Sequence, residues 1–385
     1  MVATAIILGG SHHNTLGLIR SLGRAGLKPF VLLHDGNDRS YVLRSQYVGQ
    51  YAVVPDVAAI IPFLKERKTQ TGKPVVFCAS DGAASVIDLH WEELADAYCL
   101  PGCGRQGEVN RLMDKGEMAR LAAECGLRVP ASIEVETDHP ECNGLRYPCI
   151  VKPLQSIAGS KMDIAVCYDR DQLLACFQKC RAPRVQVQEF IDKEMEYQLI
   201  GARWEKTLIP GRSRILSQPL CTNTGFLHYE RLDGSEPLAA CESFLEKTAY
   251  RGLFSLEFIR DHKGNDYFME INFRNDGNAI SVTDAGVNLP YYWYQQCLGI
   301  ASDEGLSGIR DLYVMPEFDE LSLWSAQGIR CRQMRQEFRK SDSYMEYAPD
   351  DPAPTRGRMA LMGRFLVTAL IKRPYRILSG KNRNR

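Results

Sequence analysis

The sequence predicts a mixed protein, α/β at its start and α+β beyond. Three patterns carry that prediction: a strand–turn–helix–strand series at the N-terminus, strands flanking a single helix in the middle, and a hairpin over residues 253–273 with alternating polar positions. The first is read from "ATAIIL" (3–8), the turn "GGSHHN", and "TLGLIRSLGRAG", whose Leu16, Ile19 and Leu22 have helical spacing. Gly26 ends that helix and "KPFVLL" is the next strand, so a parallel sheet begins here. "PVVFCAS" (74–80) adds a strand, and "DGAASVIDLHWEELA" is a helix started near Asp81. The first hundred or so residues read as a small doubly wound unit.

"EVNRLMDKGEMARLAAECG" (108–126) reads as one helix, "LRVPAS" as extended and "ETDHPECNGLRY" (136–147) as a linker. "PCIVKP" (148–153) and "DIAVCY" are strands around the small-residue loop "LQSIAGSKM". "DRDQLLACFQKC" is a helix capped by Asp169 or Asp171, and "RVQVQEFI" and "MEYQLIGAR" are further strands. "LFSLEFI", the turn "RDHKGND" and "YFMEINF" form the hairpin, and "LPYYWYQQCLG" is an apolar helix. No internal repeat or low-complexity segment interrupts the chain, and residues 301–355 carry no motif.

Composition narrows the function. With 45% hydrophobic and 24% charged residues, the 385-residue chain is globular, and its zero net charge gives no nucleic-acid signal. Thirteen cysteines include the C-x-x-x-C pairs Cys99/Cys103 and Cys176/Cys180 but no C-x-x-C, so a structural zinc site is not expected. "MVATAIILGG" lacks a basic leader and reads as a strand, so the cysteines are expected as reduced thiols in a cytoplasmic protein. No apolar run reaches the ~20 residues of a membrane-spanning helix.

The chemistry is read from the hairpin. Residues two apart on a strand share a face, so Glu270, Asn272 and Arg274 point one way, with Phe268 on the same face and Met269, Ile271 and Phe273 on the other. Glu257 lies in the partner strand. Carboxylates facing each other repel unless a cation lies between them, and such oxygen ligands suit magnesium bound together with phosphates. The plainer alternative is a half-buried strand with satisfied polar residues. Lys152, inside an apolar strand, needs an anionic partner or an exit to water. The loop "SIAGS" after it has backbone amides able to close over phosphate oxygens.

Lys115 in "LMDKGEMARLAAECGLRVP", Lys152 in "YPCIVKP", then "LQSIAGSKM", "VQEFIDKEMEYQL", "FSLEFI" and "FMEINFR" follow one another in order. That series resembles the ATP-grasp superfamily, in particular carboxylate–amine ligases such as D-aspartate ligase and relatives of the carbamoyl-phosphate synthase large subunit. The resemblance covers roughly residues 1–300, and its specificity lies in the ordered set. It implies a Rossmann-like N-terminal domain over 1–105, an ATP-grasp domain over 106–300 with a small lid at about 145–192, and a C-terminal extension over 301–385.

The resemblance also implies roles. Lys115 and Lys152 would bind ATP phosphates. Glu189, Phe190 and Ile191 would form the hinge for adenine, and Glu196 would hold the ribose. Glu257, Glu270 and Asn272 would hold one or two magnesium ions, a place manganese can also fill. Arg274 would steady the transferred phosphate or the substrate carboxylate. Residues 155–162 would form the loop over the phosphates, with Ser160 and Lys161 as contacts. The implied reaction activates a carboxylate as an acyl phosphate and joins it to an amine, an amino acid or amino sugar, with release of ADP and phosphate. Such chemistry needs positioning and charge neutralisation rather than a side-chain nucleophile. The loop lacks the fuller glycine run of many relatives, and Glu257 stands where aspartate also occurs. Three alternatives stay open: carboxylation through carboxyphosphate, nucleotide binding as a sensor or assembly protein without turnover, and a nicotinamide-dependent oxidoreductase. The missing G-x-G-x-x-G argues against the last.

In such enzymes the N-terminal domain supplies substrate contacts, which makes Gly10, Ser11 and Asn14 candidates. Asp81 is a helix N-cap first and a substrate contact second. Dimers are common in the superfamily, so a homodimer is an expected partner state. From Arg356 to Arg385 there are nine Lys/Arg and no Asp/Glu around "FLVTALI". This tail could lie on an anionic membrane surface at the inner face, or pack on the protein with a solvated basic end.

Overall fold

The computed structural model describes residues 4–67, 72–137, 146–153, 165–180, 183–217, 225–301, 308–318 and 331–362. Its first unit is a parallel sheet of β1 (Ala5–Gly9), β2 (Phe30–Leu33), β3 (Gln50–Val53) and β4 (Val75–Cys78), in the order β3-β2-β1-β4. β1, β2 and β4 are buried at every position, as a parallel strand covered by helices on both faces must be. Ile6 and Leu8 pack toward α2 (Ile60–Glu66) and α3 (Asp81–Leu89), whereas Ala5 and Ile7 pack with α1 (His13–Arg24). The helix expected after β4 breaks at His90 into α3 and the short α4 (Trp91–Leu94).

The expected helix over 108–126 is also two. α5 (Glu108–Leu112) ends, and Asp114 caps α6 (Lys115–Glu124) by accepting from the backbone N–H groups of Gly116 and Glu117, both at 3.0 Å. The break puts Lys115 at the first position of a helix rather than in the middle of one.

A four-stranded antiparallel sheet follows, in the order β5-β8-β6-β7, from β5 (Ser132–Glu136), β6 (Cys149–Pro153), β7 (Ala165–Cys167) and β8 (Arg184–Glu189). It is covered by α7 (Arg170–Lys179), which Asp169 caps. The largest sheet has eight strands. β9 (Lys193–Arg203) is its centre, with β10 (Thr207–Leu208) paired to its end, and β11 (Arg212–Ser217), β12 (Phe226–Glu230), β13 (Gly252–Asp261), β14 (Asp266–Asn272), β15 (Leu312–Met315) and β16 (Ser343–Tyr344) complete it. Its main path is β14-β13-β9-β11-β12-β15-β16. One face packs on α5, α6 and α8 (Leu238–Thr248) through Tyr197, Leu199, Phe254, Leu256, Phe258 and Phe268. Gly201 is required by close packing, since a Cβ there would lie 2.6 Å from both the Leu208 carbonyl oxygen and the Phe254 ring.

Beyond the hairpin come α9 (Ile280–Asp284), α10 (Leu289–Cys297) and α11 (Cys331–Lys340). One continuous core joins β1, β2 and α1 of the first unit to α9, α10, β12 and β15. Two ties reinforce it. Arg20 and Asp351, each 1% exposed, form an ion pair at 3.1 Å, and Asp351 also accepts from Ser45 Oγ at 2.7 Å and the Gln46 N–H at 3.0 Å. Cys99 and Cys297 form a disulfide with Cα atoms 6.2 Å apart, so this pair departs from the expected reduced state, whereas eight others among the described residues are free thiols. The two cysteines are 198 residues apart in sequence, so no local spacing announces the pair. Among the described residues no helix is long and apolar enough to cross a membrane.

Candidate active site

The polar residues of the hairpin share a face, as their two-residue spacing predicts, but Phe268 does not join them. Glu257 pairs with Glu270 and Ser255 with Asn272, whereas Phe258 pairs with Phe268, so Met269 is an extra residue in a β-bulge. The bulge turns Phe268 into the core with Ile271 and Phe273. The expectation that Phe268 shares the face of Glu270 is therefore corrected, and Glu257, Glu270, Ser255 and Asn272 stand together on the side away from that core.

Glu257 is the most perturbed of them. Removal from water, then Glu270 and Asp276, push its carboxyl up to about 8, against hydrogen bonds that favour the ionised form. Gln198 Nε2 at 3.1 Å and Asn272 Nδ2 at 3.0 Å both donate to its Oε1. Two carboxyls in direct register with too little positive charge between them resolve the conflict by keeping a proton.

Two lysines converge on this pair. Lys115, at the start of α6, places Nζ 3.5 Å from Glu270 Oε2. Lys152, on β6 of the smaller sheet, donates from Nζ to Gln188 Oε1 at 2.8 Å. Burial and then Lys115 lower the Lys152 pKa to about 8, while Glu270, Glu257 and Glu196 oppose the shift. The smaller sheet and the eight-stranded sheet thus bring both lysines into electrostatic contact with three carboxylates.

Arg274 follows β14 and is held from several sides. Its Nε donates to Asp81 Oδ1 at 2.9 Å and its Nη2 to Asn272 Oδ1 at 3.0 Å, with Asp276 Oδ2 3.4 Å from Nη1. Burial alone would lower its pKa, but Asp81 and Asp276 outweigh it and hold the guanidinium above its ordinary value. Asp81 is not the N-cap of α3. Ser80 is, accepting from the Ala83 N–H, which frees Asp81 in the first turn to bind Arg274. Asn14 is 4% exposed, and its side-chain amide donates to the carbonyls of Ala79 at 2.9 Å and Asn275 at 2.7 Å. It ties the N-terminal sheet to the segment after Arg274 instead of facing a ligand. Ser11 Oγ accepts from Asn37, and its N–H donates to Asp35 at 2.6 Å.

Glu189 ends β8, and its N–H donates to the Ala131 carbonyl at 2.8 Å; the Phe190 N–H donates to that of Pro148 at 3.2 Å. Glu196 on β9 is ion-paired with Lys193. Ser160, Lys161 and the rest of the loop over 155–162 lie outside the described residues, as do 363–385 of the basic tail.

Several residues around the pair are not evident from motif reading. Gln198 is directly opposite Glu257 in the β9–β13 ladder. Asn278, 1% exposed, donates to Gln198 Oε1 at 2.7 Å, and Ser255 Oγ donates to Asp276 Oδ2 at 2.8 Å. The two-residue period that links Glu196 to Gln198 is the sequence signal that could have found the first of these.

The donor set suits a divalent cation. Burial first and Glu270 second raise the Glu257 pKa, a cation between the two carboxyls would offset both, and Asn272 adds an amide oxygen. No group of three or more His, Cys, Asp and Glu able to hold a metal occurs among the described residues. Glu257, Glu270 and Asn272 are the residues here that would hold a magnesium ion.

No protein-family model and no curated protein matches the sequence. Solved structures do match the fold. An L-amino acid ligase from Bacillus licheniformis aligns over 81% of this chain and 78% of its own, with a TM-score of 0.62 and 16% identity. The N5-carboxyaminoimidazole synthetase of Staphylococcus aureus aligns over 84% and 85%, with a TM-score of 0.65 and 15% identity. A biotin carboxylase from Campylobacter jejuni, in a β,γ-ATP complex, aligns over 81% and 75%, with a TM-score of 0.62 and 13% identity. Taken with the three sheets, these likenesses show that the chain has the ATP-grasp fold.

Proposed function

We propose that this protein is an ATP-dependent ligase that activates a carboxylate by phosphoryl transfer and joins it to an amine. The observation that carries the reading is the convergence of the Glu257–Glu270 pair with Lys115 and Lys152, which come from different elements. A magnesium ion, when bound, would supply positive charge that offsets the charge developing on the transferred group. Glu257, Glu270 and Asn272 would hold it. Lys115 would leave Glu270 for a phosphate oxygen, and Lys152, whose pKa burial and then Lys115 lower to about 8, would be held fully charged by the same anion. The Glu189 and Phe190 N–H groups are already engaged, so adenine recognition would fall to their carbonyls and to Ile191. Glu196 would exchange Lys193 for the ribose hydroxyls. Arg274, oriented by Asp81, would face the acyl phosphate.

A second reading, carboxylation of an amine with bicarbonate as the activated acid, is favoured by the likeness to the S. aureus and C. jejuni enzymes. One assay separates the two. The protein is incubated with Mg-ATP, hydroxylamine and a pool of metabolite carboxylates, and ATP-dependent hydroxamates are sought by mass. A hydroxamate identifies the carboxylate and supports the first reading. ADP release that requires bicarbonate, with no hydroxamate, supports the second. Nucleotide binding without ADP release under any of these conditions would overturn both.

A further inference from the structure

At the far end of β9 and β13 the chain encloses a second cleft, of about 1040 Å³. It opens at the seam between the N-terminal sheet and the eight-stranded sheet. Its centre is five residues along β9 from Gln198, roughly 17 Å at strand rise, so it is separate from the candidate active site. Arg203 lines it and is only 8% exposed, yet its Nε has no hydrogen-bond partner. The nearest carboxylate, Glu242, is 3.9 Å from Nη2, outside hydrogen-bond range. A buried guanidinium N–H left unpaired is costly unless something else satisfies it.

The walls around Arg203 are aromatic and firmly held. Trp204 carries the Arg251 guanidinium 4.8 Å from its ring centroid and leans on Trp293 at 5.4 Å. Trp91 packs so closely on Gly102 that a Cβ there would lie 2.5 Å from its ring. Gly102 and Arg251 in turn exchange backbone hydrogen bonds, both at 2.9 Å, across the seam. Lys73 adds a third cation to the lining, and Glu205 and Glu246 are its acidic members.

We infer that this cleft is a second ligand site, for a planar aromatic or heteroaromatic anion. Its carboxylate or phosphate would accept from the Arg203 and Arg251 guanidinium groups, and its ring would pack against Trp91 and Trp204. The inference stands whether or not the ligase reading holds. Because the ligand would bridge the two sheets, its chemistry suits an effector rather than the reacting carboxylate.

The test uses phenyl phosphate as probe, with benzoate for the carboxylate arm and inorganic phosphate and phenol for the separate halves. Binding is followed by tryptophan fluorescence on the full chain. Expected is saturable quenching by phenyl phosphate or benzoate, at least ~10-fold tighter than by either half. Arg203→Met and Arg251→Ala should each weaken it ~10-fold or more, while Lys152→Met in the candidate active site leaves it unchanged. Arg251 is exposed, so its variant keeps the fold even if Arg203→Met does not. No saturable binding, binding that survives Arg251→Ala, or binding lost in Lys152→Met would each overturn the inference.

Discussion

Glu257→Gln separates the electrostatics of the carboxylate pair from its packing. In the folded protein burial, then Glu270 and Asp276, push the Glu257 carboxyl up to about 8, against an ordinary value of 4.5. Between those two values the unfolded chain has lost a proton that the folded chain keeps, so stability falls as pH rises through the window. Each pH unit costs at most ~1.4 kcal/mol. Glu257 retains some access to water, so a total of roughly 2 kcal/mol is a sounder expectation than the full product. Glutamine keeps the acceptor for Gln198 and Asn272, presents an amide to Glu270 and does not titrate. The variant should therefore match wild type near pH 5 and exceed its Tm by roughly 3 °C near pH 8. It should also lose the stabilisation that Mg-ADP gives the wild type, because the metal loses an anionic ligand. Differential scanning fluorimetry across pH, with and without Mg-ADP, reads both effects. Parallel pH curves for the two proteins, or Mg-ADP stabilisation retained in the variant, would refute the reasoning.

Four other outcomes are expected. Glu270→Ala should abolish ADP formation and leave a folded protein by circular dichroism; retained turnover would exclude Glu270 from the metal set. Lys152, lowered to about 8 in the free protein, should take up a proton when nucleotide phosphates bind between about pH 7.5 and 9, so the calorimetric binding heat should vary with buffer ionisation enthalpy. That variation should vanish in Lys152→Met. Asp351→Ala strands the buried Arg20 charge and should cost about 3 kcal/mol in urea unfolding. Gly201→Val should lower Tm by several degrees or prevent accumulation of folded protein, because even its Cβ would meet the Leu208 carbonyl and the Phe254 ring at 2.6 Å.

The parts of this fold that could be read in the sequence are those set by local periodicity. The strand–helix–strand opening, the lysine inside an apolar strand and the alternating polar positions of the hairpin all stand where local pattern puts them. Phe268 does not, because a bulge adds one residue without changing composition, and alternation cannot register it. The division of 108–126 was legible in part: Asp114 with Glu117 three residues on is a capping pair, but the apolar spacing on either side masks the interruption. Asp350 and Asp351 carry no local signature, since their partners Arg24 and Arg20 lie more than 300 residues away in sequence. The same holds for Cys99 with Cys297, and for Asn14, whose partner Asn275 is 261 residues distant. Such long-range pairings depend on topology, which a reading along the chain does not supply.

The continuous core through the first sheet has a consequence for synthesis. Ala5, Ile7 and Val31 are buried against the same cluster as Ile280, Trp293 and Val314. A nascent chain therefore emerges with this side of its opening sheet covered only by α1 until nearly three hundred residues have left the ribosome. At ~5–20 residues per second that interval lasts roughly 15–60 s. During it the early strands are open to aggregation, and a chaperone acting on the growing chain has its natural target there. Expression yield in cells should then depend on translation rate and co-translational chaperones more than on the stability of the finished protein.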